Sequence, residues 1–126
     1  MTLARRLWLW GPAVAYMASI FWESSQSQIA IPGGASDKVA HTLGYVTLAV
    51  LLLRAVAGGL PARVTARLAV VTVLATVAYG ASDEVHQLFV PGRTAEAGDL
   101  LADATGAVLG TALCWAWGKI WRRSDV

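Results

Sequence analysis

Four apolar runs, each held between charged residues, constrain this chain more than any other feature. They are Leu7 to Trp22, Val39 to Leu53, Leu68 to Ser82 and Ala104 to Gly118, each 15 or 16 residues long. A helix that crosses a bilayer needs about 20 residues, within a range of about 17–25. Each run therefore needs its polar flanks to complete a crossing. Lys and Arg can do this by laying their stems in lipid and their heads among the headgroups. Asp and Glu are too short, so they sit at the interface or face a polar interior.

Composition excludes the soluble alternative. Charged residues are 14% of the chain and apolar residues 56%, whereas a soluble domain carries about 25% charged residues. A soluble bundle also needs polar outer helix faces, and the runs offer none. The expected fold is all-α: a membrane four-helix bundle of two helical hairpins, about 1–57 and 61–123, in a single domain. Its spans are placed at about 5–23, 37–56, 63–88 and 99–120. Arg5-Arg6 before an apolar run resembles the start of a secretion signal. No small-residue cleavage site follows cleanly, so the segment reads as a retained first helix. Gly58-Gly59-Leu60-Pro61 ends the second helix, and Pro91-Gly92 breaks the third. The segment from Ser24 to Ser36, with Pro32-Gly33-Gly34, reads as an irregular loop.

Charge sign sets the expected orientation. The termini and the loop between the second and third runs hold eight cations against one anion, +7. The other two loops hold Lys38 and Arg93 against seven carboxylates, −5. Basic loops stay cytoplasmic, so both termini are expected inside and the acidic loops outside, in a bacterial inner membrane. Five of the six tryptophans cluster toward the basic side and Trp22 marks the acidic one, the pattern of an interfacial aromatic belt. A net charge of +2 gives no reason to expect a nucleic-acid partner. The one cysteine, Cys114, lies in an apolar run and reads as a buried, inert thiol.

The polar residues near the acidic loops are the candidate site. Asp37, His41 and Tyr45 share one stripe of the second helix at i, i+4, i+8. Asp37 reads equally as an N-terminal cap. His41 lies a turn inside the apolar run, where histidine is more often a packing residue than a ligand. Asp83, His86 and Gln87 share a face with Tyr79 at the end of the third helix, with Glu84 about 100° away. Two adjacent carboxylates can supply an acid and a base. Negative charge at a helix C-terminus is unfavourable, which calls for a cationic partner, either Arg93 or Lys38. Arg93, beyond the Pro91-Gly92 turn, is expected to clamp Asp83, Glu84 or Asp99. Asp99 and Asp103 align with Gly106 and Gly110, and such glycine spacing lets a neighbouring helix approach closely. Capping explains Asp99 but not Asp103, so this stripe points to a polar interior.

Two histidines and several carboxylates meet the ligand requirement for zinc. The linear spacing is not that of His-Glu-x-x-His, so neither metal nor other cofactor is expected. No Gly-rich phosphate loop and no Gly-x-Ser-x-Gly occurs.

In order, Asp37-Lys38-x-x-His41-x-x-x-Tyr45, Asp83-Glu84-x-x-Gln87-x-Phe89-x-Pro91-Gly92-Arg93, and Asp99 with Gly106 resemble the VanZ-like family of small bacterial membrane proteins. Ser24-Ser25-Gln26 is similar to that family's outer-loop signature. The family usually has Asn where this chain has Asp103. The resemblance implies an integral membrane protein tied to the cell envelope, and no established reaction. Some members are linked to resistance to teicoplanin-type glycopeptides, which a shared fold does not transfer.

Three functional readings follow. The first is a polar pocket at the outer face that binds a membrane lipid headgroup or a lipid-linked envelope precursor. Its binding set is Asp37, Lys38, His41, Tyr45, Asp83, Glu84, Gln87, Arg93, Asp99 and Asp103. The second is an enzyme acting on such a lipid, with His41, Asp83, Glu84, His86 and Asp99 as acid–base candidates. The third is a structural protein in which the polar set locks the helices together. The sequence specifies no oligomeric state.

Overall fold

The computed structural model describes residues 1–27 and 34–124, and the side chains of these apart from 34–37. The chain forms four helices: α1 (Leu3–Ser24), α2 (Gly34–Ala57), α3 (Ala66–Gln87) and α4 (Ala97–Ser124). No strand occurs among the described residues. Each helix extends beyond the apolar run that nucleates it, taking in flanking charges as the span argument requires. Thr2 and Thr65 cap α1 and α3, accepting from the N–H of Arg5 at 3.3 Å and of Leu68 at 3.2 Å. Each satisfies one of the donors that a helix start leaves open. At the other end of α2, Gly58 takes a φ of 80°, and the Gly59 N–H returns to the Arg54 carbonyl at 2.9 Å.

Three helices, α2 from Lys38, α3 and α4, are long and apolar enough to cross a membrane. The fourth, α1, has 22 residues, but its charges and its Trp, Tyr, Gly and Pro residues make it less apolar. The outside of the bundle is greasy: Leu7, Trp8, Phe21, Leu74, Leu101, Leu113 and Ile120 are among its exposed side chains. The interior mixes leucine and alanine with polar side chains. Thr72, Thr76 and Thr111 are buried, and the hydroxyls of Thr76 and Thr111 bond the carbonyl one turn earlier in their own helices. Cys114 is buried and free.

Helix α2 is central and touches all three others, while α1 does not touch α4 among the described residues. The most extensive contact joins α2 to α4, across the two hairpins. These two helices run in the same direction, with Lys38 beside Asp99 at their starts and Ala62, past the end of α2, beside Gly118 toward the end of α4. The expected glycine seam lies here. A Cβ on Gly110 would come to 2.6 Å of the Val46 carbonyl oxygen, and one on Gly106 would collide with the Thr42 carbonyl. Ala13, Tyr45, Leu48 and Leu52 form the apolar core where α1 meets α2, with Tyr16, Met17 and Ile20 against it.

This packing gathers the end of α1, the start of α2, the end of α3 and the start of α4 at one end of the bundle. Ser24 of α1 bonds Asp83 of α3, and Lys38 of α2 pairs with Asp99 of α4. Glu23, Asp83, Glu84, Glu96, Asp99 and Asp103, six of the seven acidic residues counted on the negative side, belong to this end.

Candidate functional site

The end of α3 is wedged between α1 and α4, and its two adjacent carboxylates face different neighbours. Asp83 Oδ2 accepts from the Ser24 hydroxyl at 2.6 Å and from Gln87 Nε2 at 3.1 Å. Glu84, about 100° round the helix, accepts from the Glu96 N–H at 3.3 Å. Both are buried. The cationic partner expected for this pair is not there. Lys38 bonds Glu96 at 2.9 Å and also Asp99.

Arg93 corrects the sequence reading in the same way. Its Nε donates to the Gln26 carbonyl at 2.8 Å and a terminal nitrogen donates to the Glu23 carbonyl at 3.0 Å. It does not clamp Asp83, Glu84 or Asp99. Glu23 is in the last turn of α1 and Gln26 lies just past it, where carbonyls have lone pairs to spare, and a two-pronged guanidinium can serve two at once. Arg93 thus fastens the second acidic loop to the end of α1 rather than to α4. Gly92, with a φ of 80°, lets the chain turn into this position.

His41 points from α2 toward α4, with Nδ1 at 3.1 Å from Asp103 Oδ1. Asp103 is 1% exposed, so the small-residue stripe does carry a carboxylate into the bundle. Tyr45, one turn below His41, is buried, and its ring lies with the Asp103 carboxylate over Gly80 of α3. His86 separates from this group. It stacks on Phe21 of α1 with ring centroids 4.2 Å apart, and its Nε2 lies 3.5 Å from the Ser25 hydroxyl. The side chain of Asp37 lies outside the described residues.

A cavity of about 360 Å³ opens between α1, α2 and the end of α3. His41, Tyr45, Asp83, Gln87 and Arg93 line its polar side together with Glu23 and Ser24, and Tyr16, Ile20 and Leu43 line its apolar side. Glu84, Asp99 and Asp103 lie behind it, toward α4. Beyond the residues expected from the sequence, the site takes in Glu23, Ser24 and Glu96 and an apolar wall of Tyr16, Ile20 and Leu43. Ser24 stands in the Ser24-Ser25-Gln26 triplet, which was the available signal. Glu96 offered only its charge, and Tyr16 lay unmarked in an apolar run.

Fold and site together define a small helical membrane protein with a histidine- and carboxylate-rich cluster at one end of its bundle. The chain belongs to the VanZ/LLP1 family, whose family model matches residues 12–118. No curated relative and no solved structure matches it.

Proposed function

We propose that this protein is a multi-pass protein of a bacterial inner membrane, with both termini cytoplasmic, that holds an amphiphile headgroup in the cavity at its acidic end. All four helices then cross, α1 among them, and the +7 side faces the cytoplasm. The observation that carries the ligand reading is the two-sided lining of the cavity. Ligand sites pair apolar walls with a few convergent polar groups, and here Tyr16, Ile20 and Leu43 face His41, Asp83, Gln87 and Arg93. A membrane lipid or a lipid-linked envelope precursor has that chemistry.

Gly44 gives a clean test. It lines the cavity, and a Cβ there meets only the Tyr16 hydroxyl, at 3.6 Å. Gly44→Trp should fill the cavity without disturbing any hydrogen bond described above. Lipids retained by the purified protein are measured by native mass spectrometry. The parent should retain a distinct lipid that the variant loses at unchanged melting temperature. Identical lipid profiles would sink the reading.

One observation favours a catalytic version. His41 lines the cavity while its Nδ1 is held by Asp103, and a carboxylate that orients an imidazole is the arrangement of a general base. Loss of a lipid-linked product in cells carrying His41→Gln, with lipid retention intact in the purified variant, would separate catalysis from binding.

A further inference from the structure

Behind the cavity, where α2, α3 and α4 converge, one ligand atom from each of His41, Glu84 and Asp103 lies within 4.8 Å of the other two. Each helix contributes one residue. Glu84 is 8% exposed and Asp103 1%, so this is not a solvated acidic surface. The nearby cations are committed elsewhere, Lys38 to Glu96 and Asp99 and Arg93 to main-chain carbonyls.

A second observation is independent of that grouping. Among the described residues, Glu84 Oε1 and the Tyr45 hydroxyl find no hydrogen-bond partner, and both side chains are more than nine-tenths buried. Glu84 uses only Oε2, on the Glu96 N–H, which leaves Oε1 for the cluster. A buried carboxylate oxygen without a partner is costly. A cation among these oxygens supplies what the protein's own donors do not.

We propose that His41, Glu84 and Asp103 bind a divalent first-row transition metal, with zinc the best match. One imidazole and two carboxylates are a borderline donor set that favours zinc over magnesium or calcium, which prefer oxygen alone. The size fits too. Bonds of about 2.0–2.2 Å place two tetrahedral ligands about 3.3–3.6 Å apart, so His41 Nδ1 and Asp103 Oδ1, hydrogen-bonded at 3.1 Å, need part only slightly to take the ion between them. Glu84, whose ligand atom lies within 4.8 Å of the other two, closes in to complete the set. A charge of +2 balances Glu84 and Asp103. Three protein ligands leave one position for water or a ligand atom, on the side where His41 borders the cavity. Linear spacing hid the site because its ligands come from three helices.

The test uses the full chain in detergent, without a polyhistidine tag, stripped with EDTA and titrated with Zn²⁺, Co²⁺ or Mg²⁺. Expected are one zinc per chain, a melting temperature that rises and saturates with Zn²⁺ but not with Mg²⁺, and visible Co²⁺ absorption of a tetrahedral nitrogen–oxygen site. His41→Ala, Glu84→Gln and Asp103→Asn should each weaken Zn²⁺ binding at least tenfold. Zinc well below one per chain, equal stabilisation by Mg²⁺, or binding that survives the three substitutions overturns the proposal. Should the variants fail to fold, the stoichiometry and Co²⁺ spectrum of the parent still decide. The headgroup reading is judged separately by lipid retention, so either can fail alone.

Discussion

The contact between α2 and α4 and the attachment of α1 solve the same problem by opposite means. Lipid tails are as apolar as leucine, so burying grease does not bring membrane helices together. Helices α2 and α4 meet through backbone: Gly106 lies on the Thr42 carbonyl and Tyr45 Cβ, and Gly110 on Val46 and Ala49. Close approach along a whole face gives many small dispersion gains. Helix α1 has no such seam. Beyond its patch around Ala13, it is pinned by single polar contacts. Arg54 donates to the Trp8 and Leu9 carbonyls, Tyr79 to Met17, Arg93 to Glu23, and Ser24 donates to Asp83. Most of these pins are donors aimed at α1's own carbonyls. One has a covalent origin. Pro12 has no N–H, so the Trp8 carbonyl four residues earlier lacks its helical partner, and Arg54 supplies it at 2.8 Å. The cavity lies between α1, α2 and the end of α3, so its α1 wall is the one that can move with least loss of packing.

The largest effect should come from the seam. Gly106→Leu places a side chain where the Thr42 carbonyl and Tyr45 already stand. Overpacking typically costs about 1–3 kcal/mol and more where backbone must shift. Little folded protein should be recovered by gel filtration, and any that is should melt far below the parent. A parent-like melt would show that the seam does not hold the bundle.

A smaller effect is expected at the pin beside Pro12. Arg54→Ala leaves the Trp8 carbonyl without a donor. The Trp8 pin is exposed, and interhelical hydrogen bonds in membranes average about 0.6 kcal/mol. The melt should fall by a few degrees. Pro12→Ala restores an N–H to the helix, so Arg54→Ala should cost less in that background. Equal losses in both backgrounds would mean that Arg54 acts through the Leu9 carbonyl or its 5.0 Å contact with the Trp8 ring rather than through the Trp8 carbonyl.

Much of this comparison is legible in the sequence, up to a definite boundary. Periodicity identifies the faces of each helix. That is why the Gly106–Gly110 stripe with Asp103 and the His41–Tyr45 stripe can be read directly. Periodicity does not say which neighbour a face meets. His86 shares a face with Asp83 and Gln87, yet a modest rotation toward α1 sets it on Phe21. Glu84 reads as the outlier of its helix and joins His41 and Asp103 instead. Arg93 shows the same boundary in electrostatics. Counting charges offers it seven carboxylates. Two main-chain carbonyls at the end of α1 take it, because helix ends leave acceptors that no charge count registers.

The smallest effect separates two uses of that arginine. Arg93 sits at a loop beyond α3, where solvent can replace a lost donor, so Arg93→Ala should cost less than Arg54→Ala, on the order of 0.6–1 kcal/mol. Its two donors reach carbonyls three residues apart, Glu23 and Gln26. A lysine presents one compact head and no fork, so Arg93→Lys should recover only part of the loss in thermal melts. Arg93 also lines the cavity. If Arg93→Ala melts like the parent but changes the retained lipids, its work is on the ligand, and α1 is held by its other pins alone. If both substitutions lower the melt in the expected order and lipid retention follows the melt, Arg93 acts by keeping the α1 wall in place.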